Sequence, residues 1–267
     1  LLDSGSAATE ALNMAYYYHK EKKNKMFVCE NVYPHIKEIL NTRANVLDIE
    51  LVIDNVKNIK IDDNLFGFIF SYPDNYGKLD WDIKLIRELK KNNTIVISNN
   101  DLMSLLLVKP PGELGVDISI GSTQRFGLPL WYGGPHSAFM ATTNELLRYI
   151  PGRIVGETID KNNNVCYRTV LQTREQHIKK SKATSNICTS QSLLANVSSM
   201  YAIYHGKNEL KKIASDIFYK KELIKKNIQQ LNYKILDDDT FDTIIINTSD
   251  VISLSNKLNK AGYNVRK

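Results

Sequence analysis

Two stretches of this chain carry side chains suited to ligand chemistry, and neither helix nor strand periodicity explains them. Residues 121–136 (GSTQRFGLPLWYGGPH) form a glycine-rich run after an apolar segment. Residues 173–189 (TREQHIKKSKATSNICT) form a polar run of charged, hydroxyl and amide side chains. Because glycines let a ligand approach the backbone closely and charged groups recognise charged ligands, we expect both stretches to contribute to a binding site.

Residues 173–189 also contain groups capable of catalysis. His177 could act as a general base, since an imidazole exchanges a proton near neutral pH. Lys182 could form a Schiff base, although a lysine among other lysines is usually solvated. Cys188 could be a reactive thiol, but a buried structural cysteine is the commoner case.

Three shorter segments, two of them within these stretches, could contact a ligand. Residues 4–9 (SGSAAT) and 184–189 (TSNICT) each lie at the start of a predicted helix, where free N–H groups attract anions. Ordinary helix capping is the commoner explanation of the first of them. Residues 133–136 (GGPH) predict a sharp turn, and His136 there could face a ligand or serve as a hydrogen-bonded structural residue.

The surrounding sequence alternates between strand and helix. Strands are predicted at residues 26–29, 45–53, 65–70, 94–98, 116–120 and 138–141, and helices at 7–19, 33–44 and 82–92. This alternation is typical of an α/β fold with a mainly parallel sheet. Further along, helices are predicted at 190–204, 209–231 and 253–261, with short strands at 234–236 and 242–247. We therefore predict a large α/β domain over residues 1–205, then a connecting helix and the start of a small α+β domain over residues 206–267.

Composition narrows the class of protein. The chain has 267 residues, 43% of them hydrophobic and 24% charged, which suffices for a globular core. The net charge is +6, but the lysines are scattered and form no stripe interleaved with aromatic residues, so we expect no nucleic-acid partner. The apolar runs are too short for a membrane span. The three cysteines lack C-x-x-C spacing, so we expect neither a metal site nor a disulfide framework. We therefore expect the protein to work in a reducing compartment.

Six segments resemble, in the same order, the amino-terminal half of the P-proteins of the glycine cleavage system. They span nearly the whole chain and comprise residues 1–11, 109–113, 121–136, 151–156, 171–189 and 200–206. The resemblance implies a fold-type I α/β large domain like that of pyridoxal-phosphate transferases. P-proteins consist of two similar halves, on one chain or on two subunits. We expect the present chain to be truncated at both ends, because it has no initiator methionine and stops where a strand is predicted to start.

The resemblance further implies that this half lacks the reactive lysine. In fold-type I enzymes a lysine after a strand forms the Schiff base with pyridoxal 5'-phosphate, and Gln124 and Arg125 occupy that place here. A carboxylate at the end of an earlier strand normally contacts the cofactor's pyridine nitrogen. The strand predicted at 94–98 runs into Ser98, Asn99 and Asn100, with Asp101 out of register. We therefore expect no catalytic residue in this chain and the Schiff-base lysine in the other half.

The implied activity is that of glycine dehydrogenase (decarboxylating). Glycine loses carbon dioxide at pyridoxal phosphate, and the aminomethyl group passes to the lipoyl arm of the H-protein. The implied partners are the carboxyl-terminal half that carries the cofactor, the lipoylated H-protein and glycine, in a dimer or a heterotetramer-like assembly. The implied location is the cytoplasm in a bacterium, which is favoured, or the mitochondrial matrix in a eukaryote. By itself the fragment is expected to be inactive.

Fold-type I units work in pairs and lend residues to each other's cofactor site. On this basis Thr184, Ser185 and Asn186 are predicted to face the interface and bind the cofactor phosphate of the partner half. A rigid loop without cofactor contact is the alternative for these residues. Two other functions stay open: a catalytically silent scaffold that only stabilises the other half, and a self-sufficient pyridoxal phosphate enzyme that uses Lys182.

Overall fold

A central sheet organises the structure, a computed structural model that describes residues 1–80, 82–172, 176–183, 185, 187, 191–236 and 239–265. Its strands are β1 (Lys25–Cys29), β2 (Glu50–Asp54), β3 (Leu65–Tyr72), β4 (Ile95–Asp101), β5 (Ile118–Ser122) and β6 (Ala138–Thr142). They lie in the order β2-β1-β3-β4-β5-β6. β1 to β5 are parallel, and β6 is antiparallel to β5. The carboxyl ends of β1 to β5 therefore meet at one edge of the sheet.

Helices cover both faces of this sheet. They are α1 (Ser4–Tyr18), α2 (Pro34–Val46), α3 (Ile83–Lys91) and the short α4 (Pro111–Leu114). α1 and α2 contribute to one apolar core, and α3 and α4 to a second core on the other face. All eight residues of β3 are consequently buried, which explains its uninterrupted apolar sequence.

The second part of the chain extends from the sheet. It comprises the antiparallel hairpin β7 (Ile154–Ile159) and β8 (Val165–Leu171), the short α5 (Gln176–Lys179), the long α6 (Ser192–Gln230), the pair β9 (Lys234–Ile235) and β10 (Ile246–Asn247), and α7 (Val251–Lys260). α6 bends at Gly206, where φ is 64° and ψ 177°, between the two helices predicted there. The division into residues 1–205 and 206–267 stays a prediction. None of the helices in the described ranges is long and apolar enough to span a membrane.

The segment between β9 and β10 returns to the carboxyl edge of the sheet. The Leu79 N–H donates to the Asp239 carbonyl at 3.1 Å, and the Phe241 N–H donates to the Gly77 carbonyl at 3.3 Å. Phe241 is buried in a small apolar cluster with Met103 and Ala214. This packing brings a distant part of the sequence beside the ends of β3 and β4.

Several sequence predictions need correction. The strand predicted at 45–53 begins only at Glu50, because α2 continues to Val46; a short apolar run cannot distinguish a helix end from a strand. β4 extends to Asp101, beyond its predicted end at 98. The strands β7 and β8 were not predicted.

Gly121 in β5 lies so close to β4 that no side chain fits. A Cβ atom there would run into the backbone carbonyl of Asn100, which cannot give way as a flexible side chain could. We predict that Gly121→Ala lowers the free energy of unfolding by about 1–3 kcal/mol, measured by chemical denaturation. The control is Gly112→Ala in α4, where no described atom lies within 4 Å of the added methyl, so stability should hold or rise slightly. Equal stability of the two variants would contradict this packing.

Candidate functional site

The carboxyl ends of β4 and β5 enclose a cavity of about 210 Å³. The residues that line it come from the starts of α1 and α2, from the strand ends and from the turn after β5. They are Ser4, Tyr33, His35, Pro73, Asn99, Asn100, Asp101, Ser122, Gln124 and Arg125. Clefts at the carboxyl ends of parallel strands are the usual ligand sites of α/β sheets. This cavity is therefore the candidate site.

Asn100 forms part of the cavity wall and is only 6% exposed. Its Nδ2 group donates to the Ser98 carbonyl at 2.8 Å and contacts the Ser119 hydroxyl oxygen at 2.8 Å. Because the Ser98 carbonyl can only accept, these contacts identify which terminal atom of the Asn100 side chain is the nitrogen. The buried Oδ1 has no hydrogen-bond partner among the described residues.

Asp101 is the last residue of β4 and pairs in register with Ser122 of β5. Its Oδ1 accepts the N–H groups of Met103 at 2.8 Å and Ser104 at 2.9 Å. Its Oδ2 lies 3.1 Å from Arg125 Nε. Burial raises the pKa of Asp101, and the Arg125 guanidinium opposes this rise only in part. β4 thus runs further than its apolar pattern, and whether Asp101 stands where fold-type I enzymes place their carboxylate stays a prediction.

Arg125 occupies the turn after β5 and is held by two carboxylates. In addition to Asp101, it binds Asp242 through Nη2, and its guanidinium lies 5.8 Å from the centre of the Phe241 ring. Burial lowers the pKa of Arg125, but Asp101 and Asp242 outweigh that effect and raise it above its ordinary value. The guanidinium is therefore permanently charged and ion-paired with Asp101 and Asp242.

Gln124 precedes Arg125 in the same turn, and the backbone of Gln124 forms hydrogen bonds that stabilise this turn. The Gln124 N–H donates to the Ser122 hydroxyl at 3.1 Å, and the Gln124 carbonyl accepts the N–H of Leu128 at 3.1 Å. The side-chain Nε2 atom is buried and finds no acceptor in the part of the chain that the structure describes. The turn thus presents an unused hydrogen-bond donor.

The start of α1 is capped by the chain itself. Asp3 Oδ1 accepts the Ser6 N–H at 2.7 Å, and the Asp3 carbonyl accepts the Ala7 N–H at 3.0 Å. A carboxylate at a helix N-terminus satisfies the N–H groups and the helix dipole that would otherwise attract an anion. Of the two interpretations of residues 4–9, the structure supports capping, with Asp3 rather than a serine as the cap.

These residues do not fit pyridoxal phosphate. No lysine is among the residues lining the cavity, and the carboxylate at the end of β4 is neutralised by Arg125. The helix end that could receive a phosphate already holds the Asp3 carboxylate. The cavity is also smaller than the roughly 300 Å³ at which pockets for cofactor-sized ligands begin.

The second sequence motif packs against α1, outside the cavity. Ser185 is buried, and its hydroxyl donates to Glu10 Oε1 of α1 at 3.0 Å. The Gln191 Nε2 group donates to the backbone carbonyls of His136 and, at 3.1 Å, Leu2. Ser185 of the second motif therefore packs against α1, and Gln191, two residues beyond that motif, hydrogen-bonds to the end of the first.

The remaining candidates of the second motif do not reach the cavity lining. Ser185 is absent from it, and His177 and Lys182 are exposed. Thr184, Asn186 and Cys188 lie outside the described residues. Which of them contacts a partner half stays a prediction.

Sequence reasoning missed Asp242 as a member of the site. Asp242 comes 117 residues after Arg125, in a stretch predicted as a strand. The available signal was indirect: an arginine in a strand-end turn needs a counter-charge.

Comparison with protein families matches residues 1–267 to the family described as glycine cleavage system P-protein. Glycine dehydrogenase (decarboxylating) of Aliivibrio salmonicida is 41% identical over 268 residues, and that of Pelagibacter ubique 43% over 270. A putative mitochondrial glycine dehydrogenase (decarboxylating) of Schizosaccharomyces pombe is 42% identical over 271. Each match covers 100% of this chain but only 26–28% of the relative. The chain therefore spans about a quarter of the length of these relatives.

Solved structures confirm the predicted fold class. A glycine decarboxylase (P-protein) in an inhibitor-bound form superposes with a TM-score of 0.88 at 23% identity, covering 99% of this chain and 62% of that one. Aspartate aminotransferase of Thermus thermophilus gives a TM-score of 0.64 at 14% identity, covering 99% and 73%. At these identities the similarity concerns the fold alone, which is the fold-type I α/β architecture.

The ion pairs of Arg125 give a stability prediction. Arg125→Met leaves the Asp101 carboxylate buried without its counter-charge, so the free energy of unfolding should fall by about 2 kcal/mol at pH 7, after a discount for the partial exposure of the guanidinium. The loss should shrink as the pH is lowered towards 4, because protonation of Asp101 removes the unpaired charge. The control is Arg87→Met, at an exposed position of α3. Equal losses in both variants would show that the ion pairs contribute nothing.

Proposed function

The chain belongs to the glycine cleavage system P-protein family, and we propose that it forms the lysine-lacking half of a glycine dehydrogenase (decarboxylating). The proposed overall reaction is the pyridoxal-phosphate-dependent decarboxylation of glycine, with transfer of the aminomethyl group to the lipoyl arm of the H-protein. The names of the relatives, at 41–43% identity over the whole chain, support this activity. These 267 residues alone are proposed to be inactive.

The observation that carries the proposal is the state of Arg125. It stands in the turn where fold-type I enzymes have their lysine, and it is bound to Asp101 and Asp242. A guanidinium cannot replace the amine of a Schiff base, because it remains protonated in proteins. We therefore assign the cofactor and its lysine to the other half, on the same polypeptide or on a separate subunit.

The contribution proposed for this half is to position residues for its partner. The hydrogen bond from Ser185 to Glu10 anchors the stretch that contains Thr184 and Asn186 to α1. Gln191 anchors the far end of the same stretch. With the Ser185 hydroxyl engaged, Thr184 and Asn186 are the side chains proposed to contact the cofactor phosphate directly, and Ser185 holds them in place.

The assembly and location follow from the same proposal. The partners are the cofactor-bearing half, the lipoylated H-protein and glycine, in a dimer or a heterotetramer-like complex. Relatives with comparable identity come from bacteria and, with mitochondrial names, from eukaryotes. The proposed location is accordingly the bacterial cytoplasm, or the mitochondrial matrix in a eukaryote.

A catalytically silent scaffold is the second candidate function. The ion pairs of Arg125 favour it, because they occupy the place of the lysine with a purely structural network. A scaffold would stabilise the other half but would leave its cofactor affinity independent of Thr184. An independent enzyme based on Lys182 has less support, since that side chain is exposed and outside the cavity.

Substitutions in the complete enzyme distinguish the two functions. Thr184→Ala and Asn186→Ala should each weaken pyridoxal phosphate binding about tenfold, because each removes a hydrogen bond to a charged group. Cofactor affinity is measured by spectroscopic titration of the enzyme after cofactor removal. Ser181→Ala, at an exposed position of the same motif, should leave it unchanged. Unaltered affinity in all three variants would favour the scaffold.

A further inference from the structure

The first half of α6, before its bend at Gly206, carries apolar side chains on two sides. On one side Leu194 is buried, and the Tyr201 ring lies 5.6 Å from the Phe126 ring of the turn after β5, measured between ring centres. This side packs against the body of the protein. The second apolar side faces solvent. A helix that packs by one side only normally has a polar remaining surface, so the second side requires its own explanation.

Four large apolar side chains form this second side, here called the outer stripe. They are Leu193, Met200, Ile203 and Tyr204, and they are between 62% and 85% exposed. Residues seven and eleven positions apart complete about two and three helical turns, so Met200 and Tyr204 lie on the same face as Leu193. The outer stripe is therefore a continuous apolar face, in contrast to the single exposed apolar residues that are common on protein surfaces.

The outer stripe belongs to a longer stretch of sequence without charge. Residues 183–206 contain no lysine, arginine, aspartate or glutamate, although these four types make up 24% of the chain. Protein surfaces that face water are rich in such residues, whereas the centre of a protein–protein interface is depleted of them and enriched in tyrosine and methionine. The same stretch includes Thr184 and Asn186, for which we propose contact with the cofactor-bearing half. The outer stripe thus continues a proposed contact surface.

The composition of the outer stripe favours a permanent partner over a transient one. Permanent interfaces are more hydrophobic and resemble a protein core, whereas transient interfaces are more polar. A carrier protein that binds and leaves at each turnover belongs to the second class. Each match to a glycine dehydrogenase covers only 26–28% of that relative, so most of such an enzyme lies outside these 267 residues. A permanent partner large enough to cover the stripe therefore exists in such an enzyme.

We propose that the outer stripe is the surface on which the cofactor-bearing half of the enzyme docks permanently. The existence of that half rests on the proposed function. Apolar side chains of the partner would cover Met200, Ile203 and Tyr204 and exclude water from them, which is favourable because apolar surface is removed from water. Since Leu193 lies at the start of α6, docking there also holds the preceding uncharged residues at a fixed position on the partner.

Photo-crosslinking in the complete enzyme identifies what covers the stripe. p-Benzoylphenylalanine takes the place of Tyr204, one aromatic side chain for another, and in a matched control it takes the place of Val46, an exposed apolar residue of α2. Cross-linked peptides are identified by mass spectrometry. Position 204 should cross-link to peptides of the cofactor-bearing half, in clear excess over position 46. Cross-links to a second copy of residues 1–267, to other parts of the same half or to the H-protein, or no excess over the control, would overturn the proposal.

Thiol modification measures how well the stripe is covered. Ile203→Cys and Val46→Cys replace residues that are 72% and 73% exposed in this chain, so both thiols should react equally fast if both remain free. In the complete enzyme a maleimide should modify Ile203→Cys at least about tenfold more slowly, because the covered thiol reacts only when the interface opens. Peptide mass spectrometry distinguishes each new thiol from the native cysteines. Equal rates at the two positions would refute the docking surface.

These measurements separate the docking surface from the proposed function. Normal glycine turnover in an enzyme whose Ile203→Cys thiol reacts as fast as Val46→Cys would refute the docking surface alone. Protection of Ile203→Cys and cross-linking to the other half, in an assembly that never decarboxylates glycine, would support the docking surface and contradict the proposed function.

Discussion

The guanidinium of Arg125, held between the carboxylates of Asp101 and Asp242, is the interaction on which the site depends. It joins the end of β4, the turn after β5 and the segment that follows β9. A partly buried cation needs compensation, and two carboxylates here provide it from opposite parts of the sequence. This arrangement ties the turn after β5 to the end of β4 and places the guanidinium over the Phe241 ring.

The surroundings of Arg125 also show that a shared fold does not imply shared chemistry. The sheet and helices of this chain resemble those of glycine decarboxylase and of an aminotransferase, with TM-scores of 0.88 and 0.64. In the proposed function, Gln124 and Arg125 stand where fold-type I enzymes have their reactive lysine, and neither can form a Schiff base. A fold can host many activities, and the residues at the site decide which remain. The cavity at the ends of β4 and β5 is lined by the paired charges of Asp101 and Arg125.

Much of the architecture could be predicted from sequence because buried parallel strands have a simple signature. The apolar run of β3 and the alternation of strands with helices indicated the α/β class. The ends of the strands were harder to predict. Asn99, Asn100 and Asp101 are polar, yet the pairing of β4 with β5 extends as far as Asp101. The Asp242 contact could not be predicted, because it depends on how the chain returns after α6. Hairpin β7–β8 was missed because its strands alternate between exposed and half-buried residues rather than forming an apolar run.

The most direct test of the account is to locate the Schiff base in the complete enzyme. The enzyme is incubated with pyridoxal phosphate, reduced with borohydride, digested, and its labelled peptide identified by mass spectrometry. The account predicts a phosphopyridoxyl-lysine in the other half and none within residues 1–267. A stoichiometric label on Lys182, or on any other lysine of this chain, would contradict it.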